Sequence, residues 1–208
     1  MSQLKNILRP FYRKFSAFWC VLERTIFAPF YKLKIPICRK IRIGSNVKFY
    51  SGTRVIYYEG DMKIGPNTQI CSFSKFIIGG GKIEIGNNCL LGEYGIYNTF
   101  ANLVIGNDVM TADRVSFVTN IHEFQDITKS IKKQPTKSDA IYVGDGTWIG
   151  MNATILAGSS IGKNCVVAAN CVVKGTYPDY CVIGGVPSKI IKKYNVLTNK
   201  WENITSIK

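Results

Sequence analysis

A single histidine, His122, stands in a chain of 208 residues. With one imidazole, a zinc site would need an unusual all-cysteine cluster, so no metal is expected. The seven cysteines (Cys20, Cys38, Cys71, Cys89, Cys165, Cys171 and Cys181) are odd in number and contain no C-x-x-C pair. That argues against a disulfide framework and favours a reduced, intracellular chain. Acids are also scarce, 13 against 27 Lys plus Arg, for a formal charge of +14. The surplus points to anionic partners such as phosphates or a membrane surface. No reading motif for nucleic acid accompanies it, and none is expected to bind. Long apolar runs are missing too. Glu23 and Arg24 interrupt the most apolar stretch, which falls short of the roughly 20 residues of a membrane span. No small-residue cleavage site follows, which argues against a signal peptide. What is present is 46% hydrophobic and 19% charged residues, enough to bury a core.

Residues 1–40 have their own character. Leu4, Ile7, Leu8, Phe11, Phe15, Phe18, Trp19, Leu22 and Ile26 recur at helical spacing. The basic residues fall largely elsewhere on the wheel, the pattern of an amphipathic helix. This segment holds nine Lys or Arg and one acid, Glu23. Two readings follow: a helix packed on the protein body or a neighbouring subunit, or residues 1–30 lying on an anionic membrane surface. The expected location is cytoplasmic, with peripheral association at the inner face of the membrane.

From residue 41 the chain counts in sixes. Val143, Ile149, Ile155, Ile161, Val167 and Val173 are six apart, and a small residue sits two before each of the last five: Thr147, Ala153, Ser159, Cys165 and Cys171. In extended chain, residues two apart share a face, so each hexad turns one large and one small side chain inward. A six-residue period is not helical; it marks a β-solenoid. Cys89, Cys165 and Cys171 then read as small packing residues.

Three hexads make one triangular coil. The sets Ile43/Phe49/Val55, Ile64/Ile70/Phe76, Ile85/Leu91/Tyr97 and Ile105/Thr111/Phe117 precede the C-terminal run. Successive coils are separated by extra residues near 58–61, 79–81, 98–102 and 119–140, all after the third hexad. These excursions therefore stack at one corner. His122 begins the long one, the loop 119–141. Glu93 and Asn98 belong to the coil below and are expected in the same polar cleft.

These residues carry a resemblance. The run V143-G-D-G-T-W-I-G through C-V-V-K174 resembles the signature of the hexapeptide-repeat acyltransferases. G184-G-V-P-S-K-I-I-K192 is similar to the segment that follows in their galactoside and maltose O-acetyltransferase branch. The resemblance spans roughly residues 43–193. It implies an all-β, left-handed parallel β-helix over 41–193, a C-terminal tail at 194–208, a homotrimer with active sites between subunits, and acetyl-CoA as donor. It also implies that His122, on a loop leaving the helix, is the general base. An acid often precedes that histidine in the family; here the residue is Asn120.

The chemistry suits an imidazole. An unperturbed one titrates near pH ~6.5, so at neutral pH it can take a proton from an attacking hydroxyl. By the same resemblance Trp148, Met151, Ala168 and Ala169 meet the pantetheine and backbone side of the coenzyme. Lys174, Lys189 and Lys192 approach its phosphates. Glu93, Asn98 and Asp126 are acceptor-side candidates, and Asp126 is also a candidate to orient the imidazole. The expected function is acetyl transfer to a sugar hydroxyl of a cell-surface glycan or its precursor. Alternatives are an N-acetyltransferase on an amino-sugar nucleotide, an antibiotic acetyltransferase, or a non-catalytic scaffold.

Overall fold

The computed structural model describes residues 40–204. The amphipathic segment expected at the N-terminus, and any membrane contact through residues 1–30, lie outside the described residues. The chain divides into two units between Pro36 and Ile37, and the described residues belong to the second.

Short parallel strands pair one coil apart, in the register that the hexads predict. On the first face Ile43 lies beside Ile64, then come Ile85, Ile105, Val143 and Ile161. The second face runs Phe49, Ile70, Leu91, Thr111, Ile149 and Val167. The third runs Val55, Phe76, Tyr97, Phe117, Ile155 and Val173. The 38-residue step from Ile105 to Val143 leaves the ladder unbroken. The long loop is therefore an insertion at a corner, not a break in the solenoid.

The inward positions form one continuous core. Ile70, Leu91, Phe117, Ile149, Ile155 and Val167 are fully buried. Cys89, Cys165, Cys171 and Cys181 are buried with them, and burial pushes each thiol up from its ordinary value. Along the third face Phe76 and Tyr97 stack at 4.4 Å between ring centroids, and Tyr97 and Phe117 at 5.4 Å. At the first corner, the residue three past each first-face aliphatic adopts positive φ: Asn46, Asn67, Asn88 and Asp108. Asn and Asp tolerate this region best among residues with a side chain. Their side chains then form a ladder at 3.0, 3.3 and 3.1 Å.

Two expectations need adjusting. The short excursions at 58–61 and 79–81 do not interrupt the strands. Arg54–Ile64 and Lys75–Ile85 run continuously round the corner. They pair with each other in the same register before and after the corner, with local shifts at Tyr57/Glu59 and Glu59/Asp61 that cancel. The expected tail is also structured. Lys189–Asn195 turns back antiparallel on Cys181–Gly184, and Lys200–Asn203 pairs antiparallel with it, so a boundary at 193 falls inside a strand.

Candidate active site

The long insertion begins as a β-hairpin. Asn120–His122 pairs antiparallel with Thr136–Ser138, with His122 opposite Thr136. The Glu123 N–H donates to the Pro135 carbonyl at 2.9 Å, and the Asp139 N–H to the Thr119 carbonyl at 2.9 Å. The hairpin root is pinned by buried Thr119, whose hydroxyl accepts the Phe100 N–H at 2.8 Å and the Ala101 N–H at 3.1 Å. His122 therefore stands on a paired strand, not on a free loop. Its imidazole is exposed and has no hydrogen-bond partner among the described residues.

Asn120 and His122 are two apart in extended chain and share a face. The Asn98 amide, one coil below, donates to Asn120 Oδ1 at 3.2 Å. Asn98 lies between Ile77 and Val118 in the outward ladder. Its Oδ1 is buried and without a partner. A buried carbonyl oxygen with no donor costs roughly 1–3 kcal/mol, and a ligand hydroxyl is one group that satisfies it. Asn120 thus ties the histidine strand to Asn98 where the family often carries an acid.

Asp126 does something else. Its Oδ1 accepts the Thr128 N–H at 3.0 Å and hydroxyl at 2.6 Å, and its Oδ2 pairs with Lys129 Nζ at 2.7 Å. The Lys129 ammonium, with help from Thr128, holds its carboxyl below the usual value. No bond joins it to His122. Gln134, not anticipated from sequence, closes the loop. Its Oε1 accepts the Asp126 N–H at 3.1 Å, and its Nε2 donates to the Asp126 and Lys129 carbonyls at 3.0 and 3.1 Å. A glutamine in a polar loop gives no periodic signal. Only its burial reveals it.

Glu93 is a correction. It follows second-face Leu91 by two residues and sits at the second corner, where its N–H donates to Asp113 Oδ1 at 2.9 Å. The whole third-face strand Ile96–Thr99 separates it from the His122 corner, so the two do not share a cleft within one chain.

The expected coenzyme residues group around the second face and corner. Trp148 points outward between Met110 and Val166 and is half exposed. Met151 follows at the corner, its carbonyl accepting the Asn170 N–H at 2.9 Å. Ala168 and Ala169 occupy that corner one coil on. A Cβ on Gly150 would lie 2.7 Å from the Ala169 nitrogen, so the backbones are in close contact there. Lys174 follows third-face Val173, on the same corner as His122. Lys189 and Lys192 lie on the strand added to the second face. None of the three lysines has an ion-pair partner among the described residues. An exposed indole, small corner residues and unpaired ammonium groups fit a nucleotide thioester. In one chain, however, they lie on different edges of the prism from His122, Lys174 excepted.

Comparison with known proteins agrees with this architecture. Residues 140–175 match the model of the bacterial transferase hexapeptide (six repeats). The chain is 33% identical over 184 residues to "Putative lipopolysaccharide biosynthesis O-acetyl transferase WbbJ" of Escherichia coli, covering 80% of this chain and 94% of that one. The chain belongs to the hexapeptide-repeat acyltransferases. A "Probable acetyltransferase" of Mycobacterium tuberculosis is 34% identical over 122 residues, 59% of this chain. The chain spans only 40% of that longer protein. Among solved structures, a variant of AntD, an N-acyltransferase from Bacillus cereus in complex with dTDP and coenzyme A, superposes with a TM-score of 0.61. It is 24% identical and covers 73% of this chain and 83% of that one. At that identity it speaks to the fold alone, the left-handed parallel β-helix of this family.

Proposed function

We propose that this acetyltransferase moves an acetyl group from acetyl-CoA to a hydroxyl of a sugar in a cell-surface glycan or its precursor. One observation carries the reading: His122, exposed and uncommitted, shares a strand face with Asn120, which is bonded to half-buried Asn98, whose buried Oδ1 lacks a donor. When bound, acetyl-CoA supplies the activated thioester. His122 takes the acceptor hydroxyl proton as that oxygen bonds to the acetyl carbon; as the C–S bond breaks, the imidazolium gives that proton to the sulfur, and the coenzyme leaves as the thiol. Asn98 Oδ1 accepts a second hydroxyl of the sugar and so fixes which oxygen reaches the imidazole. Trp148, Met151, Ala168 and Ala169 border the pantetheine arm, and Lys174, Lys189 and Lys192 neutralise the nucleotide phosphates. The similarity to an O-acetyl transferase of lipopolysaccharide biosynthesis supports a glycan acceptor.

The placement of the half-sites supports an assembly of several copies. His122 and the coenzyme residues lie mostly on different edges of the triangular prism, so a complete site forms between two copies. The outward ladder of the second face supports this, because Leu90, Met110 and Trp148 present an apolar stripe half open to solvent. A closed ring of three copies buries such a stripe and repeats the shared site.

The test is thiol release from acetyl-CoA across a panel of free sugars, nucleotide sugars and glycans. General-base assistance is worth roughly 10²–10⁴ in rate. His122→Ala is therefore expected to lower turnover by that factor with acetyl-CoA binding retained. Full activity in the variant would remove the imidazole from the reaction. Amino-sugar acceptors outperforming hydroxyl acceptors would turn the reading to N-acetylation.

A further inference from the structure

The hairpin that ends the described chain is built inside out. Between the strands Lys189–Asn195 and Lys200–Asn203 lies a four-residue turn, Val196–Asn199, with Asn199 in the left-handed region at φ 52°. Its polar side chains face one another. Asn195 Oδ1 accepts the Leu197 N–H at 2.9 Å and the Thr198 N–H at 3.4 Å. Glu202 Oε1 accepts the Asn195 amide at 3.0 Å and the Thr198 hydroxyl at 2.9 Å. The Tyr194 hydroxyl reaches Asn199 Oδ1 at 3.4 Å. With the polar groups so engaged, the aliphatic ones are left outside: Val196 is 69% exposed and Leu197 89%. A turn held this firmly does not fold its apolar tip back onto the body.

The surroundings of that tip narrow the partner. Behind it Tyr194 and Trp201 are cross-strand neighbours, packed edge to face at 5.4 Å between centroids. Lysines flank that pair: Lys200, opposite Asn195, lies between it and the tip, and Lys193, Lys192 and Lys189 lie behind it, against one carboxylate, Glu202. None of the lysines is ion-paired among the described residues. That carboxylate is already engaged by hydrogen bonds. An aliphatic tip backed by an aromatic pair with lysines on either side of it matches what is met on entering a bilayer: hydrocarbon, then an interface lined by anionic headgroups. The same hairpin of a second copy is a poorer match, since it would set the same four lysines against these.

We propose that this hairpin is a membrane-contact site, inserting Val196 and Leu197 into an anionic lipid surface with Lys193 and Lys200 at its headgroups. It acts whatever residues 1–30 do, and it does not depend on the acceptor assigned above. It would hold the solenoid at a surface where lipid-linked substrates are found.

The experiment separates the hairpin from the N-terminus by reading it locally. The full chain is mixed with vesicles of phosphatidylcholine alone or with 30% phosphatidylglycerol (about a third anionic, enough for a surface potential). Vesicle co-sedimentation is measured together with amide hydrogen exchange of the peptide spanning residues 193–204. Exchange at 196–199 is expected to slow with the anionic vesicles only. Val196→Asp/Leu197→Asp is expected to abolish that slowing and lower the bound fraction about fivefold or more. Lys193→Gln/Lys200→Gln, which leaves the turn bonds in place, is expected to weaken binding mainly at low salt. Unaltered thermal unfolding of both variants checks their folding. Vesicle binding without local slowing would overturn the proposal in favour of the N-terminus. Slowing that rises with protein concentration in the absence of lipid would overturn it in favour of a second copy. Equal slowing by an oligonucleotide, equal binding to neutral vesicles, or no vesicle binding would each overturn it as well.

Discussion

At the scale of single residues, the clearest result is how differently two neighbours of the histidine are used. Asn120 accepts the Asn98 amide and steadies the strand that carries His122. Asp126, four residues beyond His122, is consumed by Thr128 and Lys129. Its carboxyl is held below its ordinary value of 3.8. The charged form is favoured in the folded loop, so its contribution is fully present above that value. It is lost as pH falls through the lowered one. Asp126→Asn is accordingly expected to speed amide exchange over residues 126–134 at neutral pH. Acetyl transfer should fall only modestly, since the hairpin root at Thr119 stays pinned. Exchange unchanged from wild type would mean that Gln134 alone holds the loop. The roles of Asn120 and Gln134 were not legible in the sequence, because both depend on which polar group lies within reach after folding.

Elements in this molecule are dictated by contact between coils. The triplet Gly79–Gly81 illustrates it. The Phe100 ring lies against Gly79, where a Cβ would meet it at 2.5 Å. A Cβ on Gly81 would sit 2.0 Å from the Ala101 carbonyl oxygen. Backbone cannot retreat as a flexible side chain can, so Gly81→Ala must push neighbouring coils apart or break the continuous strand Lys75–Ile85. Overpacking of this kind typically costs about 1–3 kcal/mol. A urea midpoint lowered to match is the expected result, and an unshifted midpoint would show that the corner yields freely. In the sequence the triplet reads only as an excursion of the hexad count. The same count supplied the register of the parallel ladders from Ile43 to Val173, because inward-facing aliphatics recur at fixed spacing and pairing one coil apart follows from that.

For the whole molecule the decisive fact is a division of labour among edges. A prism of one chain carries His122 and Asn98 at one corner and Trp148, Met151, Ala168 and Ala169 at or beside another. If sites form between copies, two inactive variants with damage on different edges should complement. His122→Ala and Ala169→Trp, co-expressed in equal amounts, are expected to recover roughly a quarter of wild-type turnover, the chance that one interface draws both intact edges in a ring. Each variant alone should remain near background. No recovery in verified mixed oligomers would place the full site within one chain.

The hexad pattern by itself determined the solenoid, the faces, the inward residues and the corner from which His122 emerges. It did so because a strict six-residue repeat of buried side chains brings each coil into register with the next. The sequence did not determine what each corner residue touches. Glu93 and Asn98 are five residues apart and looked equivalent, yet the turn between Leu91 and Tyr97 sends them to different edges. The hairpin of residues 189–203 had no hexad to announce it, and its outward aliphatic tip arises from side-chain bonds that close only once both strands are paired. Spacing along the chain fixed what lies inside; proximity across coils decided what is offered at the surface.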